Sequence, residues 1–196
     1  MDAATRNAAY ALFDKADKYA AGILKAGAEV TEDLGTTVAP ISIRSGEIFG
    51  LFALVGQKLT ENNAPQAGRW IVVPPWLYKK LALAKVRRDL PNNDVISTAF
   101  VGKFLGFNAL VSNDCPSTTE TIDTESVKVY SVLAGIADTG TLIHRITETE
   151  SLRDPAQFGE LVRGLSVYTS KALRPSALAL AAIIEGEELS ENYPDL

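Results

Sequence analysis

The chain has 196 residues, 46% of them hydrophobic and 22% charged. That is enough to bury a core, as one large domain or two small lobes, and it excludes disorder of the whole chain. Nineteen basic residues against 24 acidic ones leave a formal net charge of −5, so the surface as a whole is not built to grip nucleic acid. One cysteine, Cys115, and one histidine, His144, exclude an intrachain disulfide, a cysteine-based zinc site and any multi-histidine metal centre. The lone thiol fits a reducing compartment. Residues 1–6 are polar, unlike a signal peptide, and no run approaches the ~18 apolar residues of a membrane span.

Residues 2 to about 26 carry apolar side chains at Ala8, Leu12, Phe13, Ala16, Tyr19, Ala20, Ile23 and Leu24, with charged residues between them. This spacing predicts one amphipathic helix of about 37 Å, with Gly27 as its stop. No capping residues lead into it. Residues 38–43 read as a short strand. Residues 46–59 read as a second helix with Ile48, Phe49, Phe52, Val55 and Leu59 on its apolar face, closed by Asn62, Asn63, Ala64 and Pro65. Residues 69–73 form a five-residue strand between Gly68 and Pro74. Pro75 then suits the first turn of a helix that runs to about Val86 and buries Trp76, Leu77, Leu81 and Ala84.

Residues 90–94 are a loop. Residues 99–113 read as a two-stranded unit bent at Gly106. The Ser/Thr-rich residues 115–123 read as an exposed loop. A buried strand follows at 127–133, with a helical turn near 138–142. Strands are expected at 146–152, 161–173 and 177–184, with a capped turn at 154–157 and a break at Arg174 and Pro175. The acidic stretch 185–196 reads as a flexible tail. Helices first, then a run of strands, give an α+β class, and no repeat of fixed period is present.

No phosphate-binding glycine loop, nucleophile elbow or zinc-protease helix motif is present. Gly102 and Gly106 read as strand bends. By alternation along a strand, His144, Glu148 and Glu150 share one face. An acid–base or metal cluster is one reading of that trio, and a polar edge facing solvent or a neighbour is the other. Lys79, Lys80, Lys85, Arg87 and Arg88 form a basic cluster, read as a solvated helix face or a partner to carboxylates. Trp70 and Trp76 read as core, with a ligand cage as the competing reading. Cys115 has no base beside it in sequence and is not read as a nucleophile. A soluble enzyme using Glu148 and Glu150, and a binding module using Trp70 and Trp76, therefore stand as competing functions. Neither reading calls for a cofactor.

Three segments carry a resemblance. They are residues 68–78 (GRWIVVPPWLY), residues 100–113 (FVGKFLGFNALVSN) and residues 162–178 (VRGLSVYTSKALRPSAL). In this order and spacing they resemble the strand–Pro–helix element, the two-glycine hairpin and the closing strands of the major capsid proteins of tailed phages, the Hong Kong 97 fold. Bacterial nanocompartment shell proteins share that fold and are the near alternative.

The resemblance implies an α+β capsid subunit that is not an enzyme. Residues 1–30 would be a spine helix which, with residues 141–184, forms a peripheral domain, and residues 31–140 would form an axial domain. It implies partners that are copies of the same chain, in pentamers and hexamers, with scaffold or portal proteins as further partners, packaged DNA touched only weakly and no membrane. It implies a place in the virion capsid and, before assembly, in the host cytoplasm. Pro91, Asn92, Asn93 and Asp94, with the 115–123 loop, are the candidate assembly contacts. The family's N-terminal arm and extended loop, which clasp neighbours, do not occur before the long helix here, and the expectation is a core lacking both. Rings of this kind use heterologous contacts, one patch meeting a different patch on the next copy.

Overall fold

The computed structural model describes residues 2–87, 100–122, 125–153 and 160–187. Helix α1, Asp2–Gly27, is the long amphipathic helix expected. It leads into β1, Glu29–Val30, a 3-10 turn at Glu32–Leu34 and β2, Ile41–Ile43. Val38 stands outside the strand, in an exposed turn, because Pro40 supplies no ladder donor. Helix α2, Ile48–Glu61, is followed by β3, Trp70–Val73, and α3, Pro75–Arg87, which has proline at its first position as expected. Strands β4, Phe100–Phe104, and β5, Phe107–Val111, form the bent pair.

Residues 117–122, within the stretch expected to be a loop, are a strand. Ser117–Ile122 is strand β6, paired antiparallel with β7, Glu125–Gly135. The β-branched threonines at 118, 119 and 121 fit a pleated edge strand, and polarity alone hid that. A 3-10 turn at Ala137–Thr139 replaces the longer helical turn expected. The long strands β8, Gly140–Arg153, and β9, Glu160–Ala172, follow, and then β10, Leu178–Glu185. The capped turn expected at 154–157, the loop at 90–94 and the tail beyond Glu187 lie outside the described residues.

Among the described residues the strands form two sheets. The larger has the order β1-β10-β7-β3-β5-β4, with β2 also beside β10 and β6 also beside β7. Among the described residues, strands β8 and β9 pair only with each other. Strand β10, grouped from sequence with β8 and β9, pairs with β7, β1 and β2 instead. Its sequence explains this, since LALAAIIE is apolar on both faces and suits a central strand covered on two sides.

Each face of the large sheet has its own cluster. Ile71, Val73, Ala109, Val132, Ala134, Ala179, Ala181 and Ile183 face Leu51, Phe52, Val55 and Leu59 of α2 and Leu77 and Leu81 of α3. Alanine on the sheet side admits the large side chains of α2, so the layers interdigitate. On the opposite face Leu133, Leu178 and Leu180 pack with Ala28, Leu24 and Trp70. There the C-terminal half of α1 crosses. It lies directly on the β8–β9 ribbon: a Cβ on Gly27 would stand 2.5 Å from the Cβ of Ala172, and one on Gly140 2.5 Å from Cδ2 of Leu24. Glycine at both positions permits that approach. No helix among the described residues is long and apolar enough to cross a membrane.

Candidate assembly surfaces

The residues singled out for chemistry are not brought together. The strand β8 register shifts between His144 and Ile146, a β-bulge that reverses the alternation. His144 pairs with Tyr168, whereas Glu148 pairs with Leu165 and Glu150 with Arg163. The histidine therefore lies on one face of the ribbon and both carboxylates on the other. On its face His144 joins an aromatic file with α1: Phe13 is 6.3 Å from His144, His144 5.8 Å from Tyr168, and Tyr168 5.5 Å from Tyr19, centroid to centroid. On the other face the Arg163 Nε and Nη2 donate to Glu150 Oε2 at 2.9 and 2.7 Å, an exposed ion pair.

The two tryptophans lie on opposite faces of the large sheet. Trp70 donates through Nε1 to the Ile136 carbonyl at 2.8 Å, and Trp76 packs edge-on against Tyr130. They make no joint cage. The basic cluster is also split, because Lys79 is exposed while Lys80 is 4% exposed. The Lys80 ammonium donates to the carbonyls of Ile43 at 3.0 Å and of Gly186, and stands over the Trp76 ring, tying α3 to the ends of β2 and β10. Cys115 is buried. Its thiol lies 3.7 Å from the Val72 carbonyl, and burial, with Asp114 nearby, pushes its pKa up to about 12. Such a thiol is a small core residue and not a nucleophile at neutral pH. Among the described residues no three His, Cys, Asp or Glu side chains gather as metal ligands. Pro91, Asn92, Asn93 and Asp94 lie outside the described residues.

Sequence reasoning missed Arg69, which it read only as the start of a strand. It is 5% exposed and folds back on the C-terminal end of α2. Its Nε donates to the Pro65 carbonyl at 2.9 Å, Nη1 to the Gly56 carbonyl at 3.1 Å, and Nη2 to the Ala64 carbonyl at 2.7 Å and Thr60 Oγ1 at 3.0 Å. The negative end of the helix dipole offsets the buried charge, and burial lowers the guanidinium pKa. Arg69 is thus a helix cap. It also forms part of the floor of a groove of about 570 Å3 between α2 and the β4–β5 turn, which Phe52, Gly56, Gln66 and Leu105 line as well.

Several large apolar side chains among the described residues are displayed outward. Along α1, Tyr10 is 74% and Phe13 61% exposed, and the first buried side chain among those described is Ala16. The face of the ribbon away from α1 exposes Ile143, Leu152, Leu165 and Val167 around the Glu150–Arg163 pair. Val38 and Leu105 stand out singly at opposite ends of the large sheet. Apolar patches rimmed by polar groups mark contact surfaces between proteins.

Comparison with known protein families returns no match, and comparison with curated proteins returns none at significance. Solved structures do match. A structure from Mycobacterium phage Che8 is 24% identical with a TM-score of 0.66, over 93% of this chain and 62% of that one. The capsid structure of the cyanophage P-SCSP1u gives a TM-score of 0.66 at 14% identity, over 95% of this chain and 66% of that one. The mature capsid of bacteriophage PhiM1 gives 0.52 at 14% identity, over 91% and 61%. The chain thus spans just under two thirds of the length of these three structures. Nearly its whole length follows their path, and the chain has the α+β fold of phage capsid subunits, the Hong Kong 97-type architecture that its sequence segments resemble.

Proposed function

We propose that the chain is a structural, non-enzymatic subunit of the icosahedral shell of a phage or prophage, packing against copies of itself in rings of five and six around the genome. The observation that carries this reading is the shared fold over 93% and 95% of the chain with the Che8 and P-SCSP1u structures. The outward apolar side chains of α1 and of the β8–β9 ribbon support it, since a subunit that closes a shell needs broad mixed surfaces and no catalytic cleft. In this reading α1 and the ribbon form a peripheral domain, and the large sheet with α2 and α3 forms an axial one. Pro91, Asn92, Asn93 and Asp94 meet neighbours near the ring centre, so Asp94→Lys disturbs ring formation; unchanged rings remove these residues from the contact. Scaffold and portal proteins are further partners, and the host cytoplasm is where the subunit waits before joining the virion capsid.

The test is particle size by light scattering with negative-stain microscopy. It is applied to this chain and to a version extended at its N-terminus by the arm and loop of a related coat protein. Rings or shells are expected, more readily from the extended version. A monomer in both, at all concentrations, contradicts the reading.

A further inference from the structure

We propose that the pocket between the C-terminal half of α1 and the large sheet binds a small aliphatic carboxylate, a site that does not depend on the shell-subunit reading. The pocket holds about 350 Å3, at the small end of the range for ligand sites. Gly22, Lys25 and Ala26 form its α1 wall, spaced i, i+3 and i+4 on one face of the helix. Ser131, Leu180 and Ala182 form its floor, with Ser131 paired to Ala182 across β7 and β10. Ala28, Val30 and the turn at residues 35–37 make the sides.

Two polar groups in this apolar setting lack partners of matching strength. Ser131 is 1% exposed and lies on the same side of β7 as Leu133, which packs under α1. Its hydroxyl makes no hydrogen bond among the described residues. A buried hydroxyl left so is costly unless something enters the pocket to meet it. Lys25 makes one side-chain hydrogen bond among the described residues, from its ammonium to Thr118 Oγ1 at 3.4 Å, and no ion pair. Thr118 stands opposite Val129, two residues before Ser131 on the same side of β7, so the ammonium and the hydroxyl lie at the same end of the pocket. One cation and one hydroxyl donor match a single carboxylate. The side chains of Ala28, Val30 and Leu180 suit a hydrocarbon body. A phosphate dianion would bring two charges to one cation and desolvate them against those walls.

Gly22 is an independent mark of the site. It lies inside α1, where glycine weakens a helix, yet a Cβ there would have no atom within 4 Å. Packing does not demand glycine at this position. It shares a helix face with Lys25 and Ala26, so a larger side chain would project over the pocket, and glycine leaves it open.

Equilibrium dialysis of the whole chain against radiolabelled octanoate is expected to show one saturable site per chain. Affinity should rise about fourfold for each methylene from butanoate to hexanoate and level off once the pocket is full. Octanol, which lacks the charge, should bind at least tenfold more weakly. Lys25→Met and Ser131→Ala should each lower octanoate affinity about tenfold, since each removes a bond to the charged head. Gly22→Leu should block uptake while Tm holds or rises, which separates occlusion from unfolding. Equal uptake of octanol and octanoate, affinity that climbs without limit with chain length, or uptake unchanged in Gly22→Leu or Lys25→Met overturns the proposal. Uptake that falls as the chain assembles, read by light scattering on the same samples, assigns the pocket to a second copy and overturns it too.

Discussion

Replacing Arg69 by methionine keeps the length of the stem and removes the guanidinium. The side chain is 5% exposed and makes four hydrogen bonds, three to carbonyls and one to a hydroxyl. The Gly56 carbonyl keeps the Thr60 hydroxyl at 2.8 Å, and Pro65 lies at the surface where water can replace the lost donor. Ala64 is 7% exposed, and its carbonyl is left without a donor. An unsatisfied buried acceptor costs about 1–3 kcal/mol, and the lost charge-assisted bonds add to it. Relief from burying a cation offsets part. The expected net loss is about 2–3 kcal/mol, or a fall of about 1–1.5 M in the urea midpoint for an m-value of about 2 kcal/mol/M. Trp70 adjoins the site, so fluorescence and circular dichroism should report one transition. Arg69→Lys should lose about half as much, because one ammonium cannot reach acceptors spread around a planar fork. A methionine variant within 0.5 kcal/mol of the parent chain refutes the cap as an energetic feature.

Gly27→Ala sets helix propensity against contact. At the last residue of α1 alanine gains less than the about 1 kcal/mol it gains in a helix interior, and the new Cβ would stand 2.5 Å from the Cβ of Ala172, where overpacking costs about 1–3 kcal/mol. Thermal unfolding should show a net loss that Ala172→Gly restores, and a variant as stable as the parent contradicts the close approach of α1 to the ribbon. Cys115 should resist thiol reagents at pH 8 and react once the chain is unfolded in urea. Because the folded thiol holds its proton up to about 12 while the unfolded thiol ionises at its ordinary value, stability should fall as pH rises between those values and should not change on this account below them. Rapid stoichiometric labelling of the native chain would contradict the burial.

Elements whose pattern is set by local physics were legible in the sequence. The i, i+3, i+4 spacing of α1 and α2, the proline at the start of α3 and the glycine bend between β4 and β5 each appear where expected. Strand β6 was misread because polarity was weighed above the β-branching of its threonines. The place of β10 depends on long-range pairing with β7 and β1, which no local pattern encodes. The trio of His144, Glu148 and Glu150 dissolved at a single bulge, and one extra residue in a strand leaves no trace in alternation. Arg69 and Lys80 were invisible for the opposite reason. A basic residue reads as solvated until the carbonyls that surround it are brought together from distant parts of the chain.

The central claim is that this fold serves to build a closed shell, and the most direct test is electron cryomicroscopy of the purified chain with and without an added N-terminal arm and loop. Rings of five and six copies are expected, with the large sheets side by side around the ring axis and the β8–β9 ribbons outward, closing into icosahedral particles in the extended version. A single dispersed species of about 21 kDa in both preparations contradicts it.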